Sequence, residues 1–347
     1  MTLERPLRLL HVITDLGLGG AEIMLAQLVE RWQREGHANH VVSLLSGGRL
    51  VGRLRAAGAD VTELTLRRGR LPGLAAWQLR RVYYMFRPDV SQGWMYHGNL
   101  AAQFGRFLAG DRSPLFWSIH FTPRVAASLP LMTRLVIRAG AFTSLHTAGI
   151  IYCSSVSADQ HGKLGYAASK RLVISNGIDS DRYRPDAAAR ARLIERLGLP
   201  RDRAILGLFA RFHPMKNHIG LLRALADLRA DGFSLHLLLA GSGLSPENAT
   251  LQAAVETLNL KDNVTLLGER EDIEDWMPGL DIFVLPSSYG EAFPLVLGEA
   301  MAAGVPVVAT QEACRRSASA SDRELQPFRH KRSLHERLQR RTEASPF

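Results

Sequence analysis

Strand-length apolar runs alternate with longer stretches of helical spacing along most of the chain, and that alternation admits few folds. LRLLHVIT at 7–14 is followed by a helical period from Ala21 to Arg34. Further runs follow at 40–45, 61–66, 89–94, 115–120, 149–154 and 171–177, with helical stretches between most of them. A second series comprises AILGLFA (204–210), SLHLLLAG (234–241), NVTLLG (263–268), DIFVLPS (281–287) and VPVVAT (305–310). Continuously apolar strands joined by helical crossovers are buried on both faces, which implies parallel sheets. The expected class is α/β, with two doubly wound Rossmann-like domains at 1–177 and 204–310, a charged linker at 178–203 and a basic tail at 311–347.

Composition agrees with that size. Of 347 residues, 46% are hydrophobic and 22% charged, enough for two cores. The opening MTLERPLRLLHVITDLG has no apolar segment ending in a small-residue cleavage site, and no run of about 18 apolar residues occurs. A cytoplasmic protein without a membrane span is expected. Cys153 and Cys314 belong to no CxxC or Cys/His cluster, so a structural metal is not expected. The net charge of +10 suggests anionic surroundings: nucleic acid, an acidic membrane surface or phosphorylated substrates.

Ligands of open parallel sheets bind at the carboxyl ends of the strands, so the loops there carry the functional signal. In TDLGLGGAE (14–22), Gly17, Gly19 and Gly20 lead into a helix, where exposed amides and the helix dipole favour phosphate. A tight turn that needs positive φ is the plainer reading. The dinucleotide fingerprint fails, because Glu22 stands where its last glycine belongs. In FARFHPMKNHIGLLRA (209–224), Arg211 and Lys216 precede a helix and can hold a diphosphate, or they are simply solvated cations. EAFPLVLGEAMAAGVPVVAT (291–310) places Glu291 and Glu299 eight positions apart in an apolar stretch. Pro294 fits the first turn of a buried helix and Gly304 its cap. A loop acid and a helix acid there can both reach the hydroxyls of one sugar-bearing ligand; the alternative is a dipole partner and an internal salt bridge.

GGAE at 19–22, ARFHPMKN at 210–217, SNGID at 175–179 and EAFPLVLGE at 291–299, followed by AMAAGVPVVAT, together resemble the retaining GT-B glycosyltransferases of family 4 over residues 7–310. That resemblance implies a GT-B fold whose two domains face a cleft, the N-terminal one on the acceptor side. It implies that Glu299 accepts hydrogen bonds from the donor's ribose. Glu291, with the backbone of Ala292, Phe293, Pro294 and Leu295, holds the transferred sugar. Arg211 and Lys216 neutralise the departing diphosphate with help from the amides of Gly19 and Gly20. His120 is similar to a family histidine beside the reacting sugar, and His97 is a further acceptor-side candidate; each can also be a core or capping histidine. No DxD-like pair stands at a strand end, so metal-independent transfer is expected; the resemblance implies a nucleotide-sugar donor, a UDP- or GDP-sugar, and no cofactor.

The implied acceptor is a glycan or a lipid-linked glycan of cell-surface polysaccharide or lipopolysaccharide synthesis. RRGRLPGLAAWQLRRVYYMFR (67–87) carries six arginines, no acid and several aromatic residues. It suits contact with an anionic bilayer on the inner face of the plasma membrane, or is an ordinary helix with a solvated arginine face. No nucleic-acid motif is interleaved with it. Beyond Thr310 the family pattern stops, and 311–347 holds nine Lys/Arg, five Asp/Glu and no strand-like run. The second domain is therefore expected to be incomplete and the tail poorly ordered. A catalytically impaired relative that binds or scaffolds is the second reading.

Overall fold

Each of these apolar runs contains a strand in the computed structural model, which describes residues 5–64, 66, 73–122, 131–310 and 326–327. The chain divides into two compact units, Met1–Asn176 and Gly177–Phe347.

The first unit runs β1 (Arg8–Ile13), α1 (Gly20–Arg34), β2 (Ala38–Ser43), α2 (Leu50–Ala56), β3 (Asp60–Glu63), α3 (Gly73–Phe86), β4 (Val90–Trp94), α4 (Met95–Ala109), β5 (Leu115–Ile119), α5 (Leu131–Thr143), β6 (Gly149–Tyr152), α6 (Ser155–Lys163) and β7 (Arg171–Val173). Its seven strands lie in the order β3-β2-β1-β4-β5-β6-β7 with every pairing parallel. Successive side chains of a strand point to opposite faces. Leu10, Val12, Leu115 and Trp117 accordingly share one core with α3, α4 and α5, while Ile13, Val41 and Trp94 share another with α1 and α2. No loop separates β4 from α4, a junction that sets Met95 at φ 60. A β-carbon at Gly98 would overlap the backbone of Val12, so this glycine lets α4 lie directly on β1.

The second unit runs α7 (Ala189–Leu197), β8 (Ala204–Phe209), α8 (His218–Ala230), β9 (Leu235–Ala240), α9 (Ala249–Thr257), β10 (Val264–Gly268), α10 (Ile273–Trp276), β11 (Ile282–Leu285), α11 (Leu295–Ala302), β12 (Val307–Ala309) and β13 (Gln326–Pro327). Its strand order is β10-β9-β8-β11-β12-β13, again parallel. Every residue of β8, β9 and β11 is buried, whereas the edge strand β10 is half-buried throughout. That contrast is why the central strands read as unbroken apolar runs.

Two expectations change here. Residues 178–203, read as a linker, belong to the second unit: α7 packs on the turn Met277–Gly279, and Arg190 pairs with Asp281 at 3.0 Å. The tail contains a strand after all, because Gln326 and Pro327 pair with Val308 and Ala309 and extend the sheet past Thr310. Residues 311–325 and 328–347 lie outside the described residues, so the expected disorder of the tail concerns a stretch not described. No helix among the described residues is long and apolar enough to cross a membrane.

Candidate functional site

In the second unit the strand order reverses between β8 and β11, and a doubly wound sheet opens a crevice at the carboxyl ends of such a pair. The loop after β8 is fastened to the loop after β9. Ala210 N–H donates to the Ala240 carbonyl at 2.8 Å and Phe212 N–H to that of Ser242 at 2.7 Å. The backbones come so close that a β-carbon on Gly241, at φ +142, would overlap the Ala210 carbonyl and the Arg211 amide. His213 Nδ1 accepts from Met215 N–H at 3.1 Å and caps the short turn Pro214–Lys216, and Asn217 in the left-handed region (φ 53) starts α8. This wiring aims Arg211 and Lys216 from one short loop.

The loop after β11 closes onto the same turn. Ser288 N–H donates to the Met215 carbonyl at 2.8 Å, and the Thr310 hydroxyl donates to the Ser287 carbonyl at 2.5 Å. Gly290 sits at φ +80 with Met215 sulfur where a side chain would begin. Glu291 is thereby delivered to Lys216, whose Nζ lies 2.5 Å from Glu291 Oε1, and the Ser287 hydroxyl donates to the same oxygen at 2.6 Å. Glu291 is only 7% exposed, so this carboxylate has exchanged water for partners that include an ammonium and a hydroxyl. Arg211 is exposed and forms no ion pair among the described residues. Burial lowers the pKa of His213, and the nearby charges of Arg211 and Lys216 lower it further, so the loop is a cationic cluster.

Glu299 has a different set of partners. It is the fifth residue of α11, 8% exposed, and its pKa rises from an ordinary 4.5 to about 7. Burial is the main cause; Arg182 and a hydrogen bond with Tyr183 oppose it, and Glu274 adds repulsion. Arg182 in turn reaches Glu274 Oε1 at 2.8 Å and the Glu271 carbonyl at 3.3 Å. The helix approaches this segment closely because a β-carbon at Gly298 would overlap Ile178. The structure therefore pairs Lys216 with Glu291, keeps Arg211 on the same loop beside His213, and binds Glu299 to residues 182–183. Ala292, Phe293, Pro294 and Leu295 form the entry to α11, with Pro294 at the position just before its first residue. Gly304 caps the other end at φ +76.

In the first unit the equivalent reversal falls between β1 and β4. Gly17, Gly19 and Gly20 all keep negative φ, so the positive-φ turn is not what they serve. Gly17 N–H donates to Asp15 Oδ1 at 3.0 Å, and Gly19, in extended conformation (φ −82), precedes α1. A β-carbon there would overlap the Glu22 carboxylate, which folds back over Gly19. Glu22 occupies the third helical position, the place from which a capping acid reaches the start of its own helix. Gly20, the other glycine expected to face phosphate, is the first residue of α1.

His97, in the first turn of α4, is exposed, and partial burial lowers its pKa. His120 follows β5 with its ring stacked on Trp94 (centroids 5.3 Å apart, planes at 12°), and its backbone N–H donates to Met95 Sδ at 3.4 Å. Burial brings its pKa to about 4, with Asn176 opposing, so the ring is neutral near pH 7. Among the described residues no cluster of three or more His, Cys, Asp or Glu could hold a metal ion. Sequence reasoning missed Ser287, Gly241, Arg182 and Tyr183. The Gly-Ser-Gly at 241–243, directly after a strand, was the one local signal available.

Comparison with known proteins adds two family matches: "Glycosyltransferase Family 4" over residues 18–182 and "Glycosyl transferases group 1" over 189–324. The putative glycosyltransferase EpsF of Bacillus subtilis is 38% identical over 136 residues, 39% of this chain and 35% of that one. The lipopolysaccharide core biosynthesis mannosyltransferase LpsB of Rhizobium meliloti is 35% identical over 151 residues, 42% of each chain. The matched stretch thus spans less than half the length of either relative. In three dimensions the chain resembles Anabaena HepE, crystallised with UDP and glucose, with a TM-score of 0.81 at 21% identity over 97% of this chain and 90% of that one.

Proposed function

We propose, starting from a chain that belongs to the family 4 glycosyltransferases and has their GT-B fold, that it moves a sugar with retention from a nucleotide-sugar donor to a hydroxyl of a glycan or lipid-linked acceptor. One observation carries the reading: Lys216, Glu291 and Ser287 converge at the carboxyl ends of β8 and β11, with Arg211 exposed in the same cationic loop. A departing diphosphate needs fixed positive charge where its own charge grows, and a preorganised cation supplies that without reorganising water. Lys216 and Arg211 take that role, with no metal and no cofactor.

Glu291 keeps Lys216 in place until the donor arrives and then accepts hydrogen bonds from the transferred sugar. Glu299, held by Tyr183 and Arg182, accepts from the ribose. His120, neutral at pH 7, is available as a hydrogen-bonding group toward the acceptor. UDP- and GDP-sugars are the first donors to try; HepE was crystallised with UDP and glucose. The names of EpsF and LpsB support a place in surface polysaccharide or lipopolysaccharide synthesis.

Thermal-shift screening of UDP-, GDP- and ADP-sugars identifies the donor, and transfer or donor-hydrolysis assays of wild type and Glu291→Gln then test the chemistry. Turnover by wild type that falls in Glu291→Gln is the expected result. A chain that binds a nucleotide and turns over no donor in either form is a binding relative instead.

A further inference from the structure

His11 is the one polar side chain among the buried residues of β1, whose others are Leu9, Leu10, Val12 and Ile13. It is 1% exposed, and a buried imidazole is costly unless its ring nitrogens find hydrogen-bond partners. Both do. Trp94 Nε1 lies 3.4 Å from His11 Nδ1, and His11 Nε2 lies 3.4 Å from Asn39 Oδ1. An indole nitrogen can only donate, so Nδ1 accepts and the ring proton sits on Nε2, which donates it to Asn39. Asn39 agrees with that direction, since its Nδ2 donates to Gln33 Oε1 and to the His37 carbonyl, both at 3.1 Å. Burial brings the His11 pKa to about 4 against the hydrogen bond with Asn39, so the ring is neutral near pH 7 and Nδ1 can accept. Trp32 of α1 stacks on the same ring, with centroids 5.5 Å apart and planes at 9°.

The bonds lead to a group that the transfer reading uses. Trp94 ends β4, the strand beside β1 at the reversal of order, and Met95 begins α4. Trp94 gives the face of its indole to the His120 ring, while Met95 Sδ accepts from the His120 backbone N–H. Met95 holds φ 60, a conformation that a methionine keeps only where its surroundings fix it. Leucine at position 11 would suit the core beside Val12 and Ile13, and phenylalanine at 94 would fill much of the same space. Only the imidazole and the indole N–H together fix the rotation of the indole plane, and that plane is the one on which His120 lies.

We propose that His11 and Trp94 are positioning residues for His120: His11, through its Nδ1 acceptor, sets the plane of the Trp94 indole, and the indole face sets the orientation of the His120 ring. The effect on turnover rests on the acceptor-side reading of His120, whereas the rings are observable without any substrate, so either can fail alone.

Nuclear magnetic resonance of the full-length protein, labelled with ¹⁵N at histidine, reads the rings; His11→Gln and His120→Gln assign the signals. Wild type is expected to show His11 as the Nε2–H tautomer and the His120 ring protons shifted upfield by the indole face. Trp94→Leu loses that upfield shift and His11→Leu diminishes it, each with native circular dichroism. His11→Gln retains it, because the amide oxygen can accept from the indole while the amide nitrogen donates to Asn39. In a transfer assay with saturating donor, kcat/KM for the acceptor falls about tenfold in His11→Leu and about a hundredfold in Trp94→Leu, with the KM for donor unchanged. His11→Gln stays within about threefold of wild type, a rescue that loss of core packing alone would not give. The Nδ1–H tautomer of His11 in wild type, a reading that needs no variant to fold, overturns the proposal. So does a His120 upfield shift that survives Trp94→Leu, or equal losses in His11→Leu and His11→Gln.

Discussion

The loop after the first strand of each unit meets the same topological situation and answers it with opposite charge. Residues 14–22, after β1, hold Asp15 and Glu22 and no cation; residues 210–217, after β8, hold Arg211, His213 and Lys216 and no acid. Both loops present the start of a helix at the carboxyl edge of a parallel sheet, where unpaired amides attract an anion. In the first unit the chain's own Glu22 carboxylate folds over Gly19. In the second, the cations gather around a loop whose acid partner, Glu291, arrives from another strand. The fold supplies two equivalent positions, and the side chains give them opposite charge.

Breaking the cationic loop has the largest expected effect. Lys216→Met takes the ammonium away from the buried Glu291 carboxylate, which costs about 3–5 kcal/mol of stability, and removes transition-state stabilisation worth about 10²–10³ in kcat. Chemical denaturation and a transfer assay check both. Adding Glu291→Gln sharpens the point, because the double variant is expected to regain much of the lost stability. Next comes Gly241→Ala, which forces a side chain into φ +142 and onto the Ala210 carbonyl, with an expected cost of about 1–3 kcal/mol by thermal melting. By contrast, Gly19→Ala at φ −82 in the first unit's loop meets only the movable end of Glu22 and is expected to cost under about 1 kcal/mol. Equal costs at the two glycines would contradict the contrast.

The two buried acids give a prediction in pH. Glu299 has a folded pKa near 7 against an ordinary 4.5, so between these values the folded chain holds a proton that the unfolded chain has released. Its contribution to stability is therefore fully present below about pH 4.5 and is lost as pH rises through about 7. Melting profiles of Glu299→Gln are expected to lack that decline. Tyr183→Phe, which removes a hydrogen bond favouring the ionised form, is expected to move it to higher pH. The smallest effect is Glu22→Gln, where loss of charge at the start of α1 costs about 0.3–1 kcal/mol.

Much of this was legible in the order of residues. The strand runs were readable because central parallel strands are buried on both faces, and α11 because an apolar stretch lies between Pro294 and Gly304. Lys216 and Glu291 were both named, yet not their pairing, since 75 residues separate them and only the adjacency of β8 and β11 joins their loops. Arg182 and Tyr183 escaped because they follow the Asn-Gly-Ile-Asp turn in a segment that reads as a charged linker. Glu22 registered as the residue that spoils a glycine fingerprint and as the end of the GGAE motif, but not in its folded-back position, because a carboxylate folding back over its own helix has no signature beyond its spacing.

The central claim is that the loops after β8 and β11 form the donor diphosphate site. Calorimetric titration of UDP and GDP into wild type, Lys216→Met, Arg211→Gln and a control, Arg138→Gln, tests it most directly. The account predicts that one of the two nucleotides binds wild type and the control alike and loses about tenfold or more in affinity with each loop variant. Unchanged affinity in Lys216→Met and Arg211→Gln would contradict it.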